Sequence, residues 1–260
     1  MAEIAPDFRL DGRVAFISGA AGHLGTAIAQ ALDRAGAHLI LNGRNEARLK
    51  DLAKNLRSTE CAAFDVSDFE SVRKFFAGRD RIDVIVNNAI SMTPKPRTAL
   101  SPEDFDLTYR SSVTAAFEIA RAALPALRNA VKATNDASII NIASMYGAVS
   151  PDARIYAKPE QASPFHYGPA KAALIQLTRH LAAEFGPERI RVNALVPGPF
   201  PRPDVRTSDP QFADRLAART MLGRLGESNE IAGPVQFLAS TASSFVTGSS
   251  LTVDGGWTAW

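Results

Sequence analysis

Tyr167 and Lys171 are the two residues whose types and spacing could do chemistry most directly. They stand four positions apart, at the start of a segment (170–185) whose apolar spacing predicts a long amphipathic helix. Because positions i and i+4 share one face of a helix, the lysine ammonium is expected beside the tyrosine hydroxyl. A nearby positive charge lowers the pKa of a tyrosine from its usual value of about 10. The pair predicts a general acid and base, whereas the same spacing alone is also typical of a solvated helix face.

A glycine-rich turn near the N-terminus predicts a nucleotide site. An apolar run at 14–18 precedes the turn, a helical pattern begins near residue 24, and a second apolar run follows at 38–42. In such a strand–turn–helix unit, glycines let the backbone approach a pyrophosphate at the helix N-terminus. An ordinary tightly packed turn is the alternative. The residues expected to bind the nucleotide here are Gly19, Ala21, Gly22, His23, Leu24 and Gly25.

Taken together, these features resemble the short-chain dehydrogenase/reductase family, and the resemblance covers almost the whole chain. The matching motifs are Ser18–Gly25, Asn87-Asn88-Ala89, Ser144 after the run 138–142, Tyr167 with Lys171, Pro197-Gly198 and Asp254-Gly255-Gly256. The resemblance implies an NAD(P)-dependent oxidoreductase that moves a hydride between the nicotinamide and a carbonyl or alcohol. It implies that Tyr167 exchanges the proton and that Lys171 lowers the tyrosine pKa and holds the ribose. Ser144 would donate a hydrogen bond to the substrate oxygen.

Three departures from the family pattern stand out. His23 occupies the place of the family's second glycine, which predicts an imidazole near the phosphates at a position of positive φ. Ser112 aligns with the family's fourth catalytic residue, an asparagine, and is the candidate for its role. The threonine expected after Pro197-Gly198 is missing from residues 199–202.

Alternating apolar runs and helical patterns predict the fold class, an α/β doubly wound parallel sheet of the Rossmann type with helices on both faces. The whole chain, 1–260, is expected to form one domain. The predicted strands lie near 14–18, 38–42, 60–64, 83–87, 138–142, 191–196 and 250–253. The predicted helices begin near residues 24, 45, 68, 103, 167, 209 and 227.

The end of the second predicted strand favours NADP as the cofactor, with NAD left open. An acidic residue at this place would bind the ribose hydroxyls of NAD and repel a 2′-phosphate, but the sequence has Arg44 and no acid. An arginine can bind a phosphate through two donors, whereas a solvated loop arginine is the plain alternative. The resemblance adds further cofactor contacts at Asp65, Val66, Asn88, Ala89, Pro197 and Gly198, besides Tyr167 and Lys171.

Two long connections flank the predicted site. Residues 146–166 separate Ser144 from Tyr167 by more than the family's usual gap, and 197–210 is rich in proline, which predicts a stiff, non-helical connection. We predict that 146–166 and 199–215 form a mobile lid. Cations in these connections and in 91–98 favour a sugar acid or other anionic polyol as substrate: Lys95, Arg97, Arg154, Lys158, His166, Arg202 and Arg206. Loop solubility explains them equally well.

Composition limits the remaining classes. A formal net charge of +2 without a basic tail gives no indication of nucleic-acid binding. No apolar run approaches the roughly 20 residues of a membrane span, and residues 1–7 show no secretory signal. The single cysteine, Cys61, fits a reducing compartment, so a cytoplasmic location is expected. We predict no metal site and no membrane partner.

Alanine-rich helix faces and the resemblance together predict a homo-oligomer, either a dimer or a homotetramer. These faces lie in the helical segments 103–130 and 167–185. The competing hypothesis is a non-catalytic relative that binds a nucleotide and acts as a cofactor sensor or scaffold. It rests on His23, Ser112 and the altered segment after Gly198, whereas the presence of Ser144, Tyr167 and Lys171 argues for an enzyme.

Overall fold

A parallel, seven-stranded sheet forms the centre of the computed structural model, which describes residues 7–93 and 95–260. The strands follow the spatial order β3-β2-β1-β4-β5-β6-β7, and every neighbouring pair is parallel. Their bounds are β1 Val14–Ile17, β2 His38–Gly43, β3 Thr59–Ala63, β4 Val84–Asn87, β5 Ala137–Ile142, β6 Ile190–Pro197 and β7 Ser250–Val253. Each predicted strand is therefore confirmed, within one or two residues at either end.

The helices cover both faces of this sheet. Their bounds are α1 His23–Arg34, α2 Glu46–Ala53, α3 Phe69–Ala77, α4 Pro102–Tyr109, α5 Ala115–Thr134, α6 Tyr167–Phe185, α7 Pro203–Ser208, α8 Pro210–Ala218 and α9 Ala232–Ala239. None of the described helices is long and apolar enough to span a bilayer. A π-helical turn, Arg110–Thr114, joins α4 to α5 without a break.

The alternation of side chains along the strands divides the core into two layers. Ile17 and Leu41 pack with the apolar faces of α1 and α9, whereas Phe16 and Ile40 point to the opposite face and pack with α3 and α5. Successive side chains of a strand point to opposite faces, so strands covered on both faces must be apolar almost throughout. All residues of β5 and β6 are buried. The prediction of a doubly wound sheet is confirmed.

The strand order reverses between β1 and β4, and this places the ligand crevice. In open parallel sheets, ligands bind beyond the carboxyl ends of the strands at such a switch point. Here the Ser18 hydroxyl at the end of β1 accepts hydrogen bonds from the backbone N–H groups of Asn88 (3.0 Å) and Ala89 (3.1 Å), which follow β4. The two strand ends are thereby fixed to each other on either side of the crevice.

A buried ionic cluster lies at the amino ends of the strands, on the side of the sheet away from the crevice. The Asp136 carboxylate, just before β5, accepts hydrogen bonds from Arg13 Nη1 at 3.0 Å and from Arg191 Nε at 2.8 Å. All three side chains are less than a tenth exposed. The cluster joins the segment before β1 to β5 and β6, far in sequence from one another.

The proline-rich connection after β6 departs from the prediction. It contains the short helix α7, followed at once by α8, and is therefore not a non-helical segment. Pro203 and Pro210 each occupy the first turn of a helix, where the missing N–H would have no intrahelical partner and the fixed φ suits the helix. Proline density therefore marks two helix starts here.

Candidate active site

A cavity of about 490 Å³ lies at the carboxyl ends of β1, β2, β4, β5 and β6. Most of the sequence-predicted site residues line it: Gly19, Ala21, Gly22, His23, Leu24, Arg44, Asp65, Val66, Asn88, Ala89, Ser144, Tyr167, Lys171, Pro197 and Gly198. Gly25 and Ser112 do not. The arrangement brings the glycine turn, the end of β2 and the tyrosine–lysine pair to one continuous surface.

The glycine turn leaves room for a diphosphate at the N-terminus of α1. Gly19 has φ +64°, and a Cβ there would meet Asn88 Nδ2 at 3.0 Å. Gly22 precedes α1 without a side-chain cap, so the first N–H groups of the helix have no side-chain partner there. A Cβ on Gly25 would lie 2.1 Å from the Gly19 carbonyl oxygen, so only a residue without a side chain fits at position 25 of this tight turn. These features fit an anionic dinucleotide.

The conformation predicted for His23 is wrong. His23 is the first residue of α1, and its φ is not positive; positive φ in this turn falls on Gly19. A residue with a side chain fits the first helical position without backbone strain, because its Cβ lies outside the crowded part of the turn. The imidazole lines the cavity, and its Nε2 is buried without a hydrogen-bond partner among the described residues.

Two arginines lie at the β2 end of the cavity. Arg44 Nη1 lies 3.8 Å from Asp65 Oδ2, and both side chains are largely exposed. Arg48 also lines the cavity; its backbone N–H donates to the Asn45 side chain that caps α2, at 3.0 Å. The sequence prediction omitted Arg48, although its spacing from the Asn45 cap could have placed it in the first turn of a helix facing the site. Two guanidinium groups and one carboxylate therefore border the place expected for the adenosine.

Asn42 is a second omitted residue at this end. It is buried at the end of β2, and its Nδ2 donates to the carbonyls of Ala62 (2.9 Å) and Phe64 (3.1 Å). These bonds join the end of β2 to β3 and to the residue that follows β3. An amide therefore stands near the place where NAD-preferring sequences have an acid. Ser91 and Phe200, from the segments 91–98 and 199–206 expected near the site, also line the cavity, and the further lining residues that the sequence did not indicate are Gly43, Asn45, Leu49, Phe64, Ile90, Ser111, Ile142 and Ala143.

Ser144, Tyr167 and Lys171 meet at the other end of the cavity. Ser144 follows β5, and its hydroxyl accepts from the Tyr146 N–H at 3.2 Å and interacts with the Tyr167 phenol, whose pKa it lowers. Tyr167 and Lys171 lie on the same face of α6, one turn apart. Lys171 Nζ is buried and donates to the Ile142 carbonyl at 2.6 Å. The three functional groups predicted to act together are therefore close in space.

The pKa of Tyr167 is shifted opposite to the expectation from the sequence. Burial raises the pKa of the phenol, and the hydrogen bond with Ser144 offsets this only in part. Burial also lowers the pKa of Lys171 to about 8, because it disfavours the ammonium form. Lys171 Nζ lies 5.9 Å from the centre of the tyrosine ring, while its close contact is the Ile142 carbonyl. The raised pKa keeps the phenol protonated near neutral pH, and the phenol can still donate this proton to a developing alkoxide, which is a stronger base.

Ser112 does not reach the cavity. It is buried in the π-helical turn, where its hydroxyl donates to the Thr108 carbonyl at 2.6 Å. Its neighbour Ser111 lines the cavity instead, and the Ser111 hydroxyl accepts from the Ser91 N–H at 2.9 Å. The side chain at 112 is thus engaged with its own helix, as a short hydroxyl readily is.

Asn88 and Gly198 shape the cavity wall from both sides. Asn88 Nδ2 donates to the carbonyls of Ser18 (3.2 Å) and Gly19 (3.0 Å), which fixes the glycine turn against the end of β4. A Cβ on Gly198 would lie 2.5 Å from the Asp254 Cα, so only glycine lets this segment approach the one after β7. Both residues therefore position the wall through the protein's own backbone.

An apolar cluster next to Ser144 joins three distant segments. Met145, Ile155, Leu216 and Trp257 are buried together. The Tyr146 and Tyr156 hydroxyls are 2.9 Å apart. The cluster connects the long segment after Ser144 to α8 and to the C-terminal segment.

Five of the seven cations expected to form a basic rim contact acidic or aromatic groups of the protein, and Lys158 is exposed. Lys95 Nζ pairs with buried Asp104 at 2.9 Å, Arg154 pairs with Asp152 at 2.8 Å, and the Arg97 guanidinium lies 4.0 Å from the centre of the Phe165 ring. Arg202 pairs with Asp204 and Arg206 with Glu227. His166 is fully buried. None of these cations lines the main cavity, so the electrostatic reason for an anionic substrate is weakened.

Comparison with known proteins agrees with this geometry. A family model described as Enoyl-(Acyl carrier protein) reductase matches residues 19–258. The chain is 35% identical to a rhamnolipids biosynthesis 3-oxoacyl-(acyl-carrier-protein) reductase of Pseudomonas aeruginosa, over 96% of this chain and 98% of the relative. It is 34% identical to a gluconate 5-dehydrogenase of Gluconobacter oxydans, over 96% and 97% of the two chains.

A solved structure of a related protein has the same fold. The gluconate 5-dehydrogenase of Burkholderia cenocepacia, in complex with NADP and tartrate, superposes with a TM-score of 0.84. The two chains are 32% identical, and the match covers 98% of each. The chain belongs to the short-chain dehydrogenase/reductase family and is an NAD(P)-dependent oxidoreductase.

Proposed function

We propose that this protein uses NADP(H) to interconvert a carbonyl group and an alcohol in a small hydroxylated substrate. The observation that carries the proposal is the single cavity that has the glycine turn and Arg44 at one end and Ser144, Tyr167 and Lys171 at the other. A non-catalytic sensor or scaffold would need only the end of the cavity that binds the nucleotide. The convergence of a phenol, an ammonium and a hydroxyl is what hydride transfer to a carbonyl requires.

The cavity fits a nicotinamide dinucleotide by its shape and donors. Gly22, with the N-terminus of α1, would hold the diphosphate, and Arg44 and Arg48 would bind a 2′-phosphate through charge-assisted hydrogen bonds. Asn42 at the end of β2 introduces no negative charge against that phosphate. The NADP in the Burkholderia structure supports the same preference.

When bound, the nicotinamide supplies or accepts the hydride. In the reducing direction, Tyr167 donates its phenolic proton to the substrate oxygen as negative charge develops on it. Ser144 donates a hydrogen bond to the same oxygen, which stabilises that charge. In the oxidising direction, both transfers run in reverse.

Lys171 makes the proton transfer reversible. Its ammonium stabilises the phenolate left on Tyr167, and the low polarity around both groups strengthens that attraction. Because burial already lowers the pKa of Lys171 to about 8, the ammonium form is less favoured than that of an exposed lysine. A partner anion nearby, such as the phenolate, restores it. Lys171 is also placed to bind the ribose hydroxyls.

The substrate is proposed as a sugar acid, a polyol or the corresponding keto compound. The two gluconate 5-dehydrogenase relatives and the tartrate in one of them support this class. The internally paired cations favour neutral members over acids. The reductase of Pseudomonas aeruginosa supports a different substrate, a 3-oxoacyl thioester.

A turnover assay tests both parts of the proposal. NADPH and NADH oxidation would be followed at one pH with 5-ketogluconate, a neutral ketose such as xylulose, and a 3-oxoacyl thioester. We expect NADPH-dependent reduction of a ketose or keto acid. Turnover of the thioester alone would overturn the substrate class, and cofactor binding without turnover of any carbonyl would favour the sensor.

A further inference from the structure

His23 introduces a titratable group at the phosphate-binding turn. It is the first residue of α1, lines the cavity, and follows Gly22, which provides no side-chain cap. The first turn of α1 contains no acidic side chain that could pair with the imidazole. The group therefore lies beside the N–H groups that would hold a diphosphate, where any added positive charge acts on the same ligand.

The segment after Gly198 surrounds the imidazole with more positive than negative charge. Burial lowers the pKa of His23, and Arg202 and Arg206 lower it further. A contact with the Phe200 backbone and the charge of Asp204 oppose this effect. Arg44, Arg48 and Asp65 line the same cavity at its β2 end. In the free protein, burial and two cations therefore disfavour the imidazolium form of His23.

A dinucleotide reverses this balance, because its diphosphate brings negative charge to the turn. We propose that His23 takes up a proton from solvent when a nicotinamide dinucleotide binds, and that the resulting imidazolium holds the diphosphate against segment 199–206. The inference rests on the proposed function, since it assumes that the turn binds the diphosphate.

The sign of the pH dependence follows from the two states. The pKa of His23 lies below its usual value in the free protein and rises when an anion is bound. Its contribution to affinity is therefore full below the free-state pKa and is lost as the pH rises through the bound-state pKa. An opposite charge within about 4–6 Å shifts a pKa by roughly 1–3. Each pKa change of about one corresponds to a roughly tenfold change in affinity.

The test measures cofactor binding rather than turnover. NADH fluorescence titrations from pH 5.5 to 8.5 would compare the wild type with His23→Gly, which introduces the family's residue, and His23→Gln, which keeps a neutral polar side chain. NADH lacks the 2′-phosphate, whose own titration near pH 6 would overlap. His180→Gln is the matched control, because His180 is exposed on α6. Lys171 titrates in this range in every variant, so its effect cancels in the comparison.

Calorimetry in two buffers of different ionisation enthalpy counts the protons directly. We expect uptake of a fraction of a proton near pH 6.5 in the wild type and in His180→Gln, and none in either His23 variant. The wild type should bind roughly tenfold more tightly, relative to His23→Gln, at pH 5.5 than at pH 8. Equal pH slopes and equal proton uptake in all four proteins would overturn the inference and leave the proposed function intact. A wild type that binds neither NADH nor NADPH would instead refute the proposed function.

Discussion

Among single residues, we expect Arg44 and Arg48 to determine which dinucleotide the protein prefers. Both border the cavity beyond β2, and only NADP offers them a 2′-phosphate. Arg44→Ala should weaken NADP binding by about 1.5–3 kcal/mol and leave NAD binding nearly unchanged, because one charge-assisted contact is lost. The double variant with Arg48→Ala should lose still more NADP affinity.

Titrations of both cofactors against these variants check the prediction. Arg34→Ala is a suitable control, because Arg34 lies in the last turn of α1, at the opposite end from the phosphate turn. Equal weakening of NAD and NADP in Arg44→Ala would mean that this arginine does not recognise the extra phosphate.

The residue types and their spacing predicted which functional groups lie close together, but not how their surroundings shift their pKa values. Ser144, Tyr167 and Lys171 could be placed together because each belongs to a motif at a strand end or a helix start. The raised pKa of Tyr167 could not be predicted, because it depends on burial by segments that are distant in sequence. The backbone of His23 was mispredicted because the helix begins one residue earlier than the pattern indicated.

At the scale of elements, the long segment after Ser144 and helix α8 are connected. Arg215 Nε donates to the Ile155 carbonyl at 2.6 Å, and the Tyr156 and Phe212 rings lie 5.4 Å apart. Arg219 lies 3.8 Å from Asp152. We predict that 146–166 and 199–215 act as one lid, whose amides gain protection together when NADPH and substrate bind.

Hydrogen exchange on the free and ternary forms measures this directly. Arg215→Ala should reduce protection in both segments, whereas Arg179→Ala, on the exposed side of α6, should not. If the amides of both segments are already protected in the free protein and their protection does not change on binding, the two segments are fixed and the lid prediction is wrong.

The strands were predictable and the connections less so, for a physical reason. A strand buried on both faces must be largely apolar, which makes β1, β2, β4, β5 and β6 visible in the sequence, whereas the edge strands β3 and β7 are only partly buried. The helix α7 depends on Pro203 at its first turn and on few buried contacts, so its sequence resembles a stiff loop.

At the scale of the whole molecule, the Asp136 cluster joins three strands into one cooperative unit. Asp136→Asn removes the charge that compensates Arg13 and Arg191, both of them buried. Breaking a buried ion pair costs about 3–5 kcal/mol in the free energy of unfolding. Urea denaturation measures the change, with Asp51→Asn at an exposed pair as the control expected to cost under about 1 kcal/mol. A similar small loss in both variants would contradict the role assigned to the cluster.

Assembly is the second prediction at this scale. The alanines of α5 that suggested a close helix contact, including Ala115, Ala120 and Ala123, are buried in the core layer on this face of the sheet. The outward surface of α4 and α5 instead exposes Leu107 and Phe117. We propose that this surface pairs with a second copy, which gives a dimer or tetramer.

Light scattering at micromolar concentration should give at least twice the mass of the chain. Phe117→Glu should reduce that mass, and Asp51→Asn, on the exposed surface of α2, should not. A monomeric wild type would contradict the proposal.

We propose that Tyr167 transfers the proton while the rest of the cavity binds the cofactor. The most direct measurement is single-turnover NADPH oxidation by wild type and Tyr167→Phe with the best carbonyl substrate, alongside NADPH titration of both proteins. We predict that the variant binds NADPH nearly as tightly but loses roughly 10²–10⁴-fold in rate, since only the phenolic oxygen is removed. A variant that keeps more than about a tenth of the wild-type rate would contradict tyrosine acid–base catalysis.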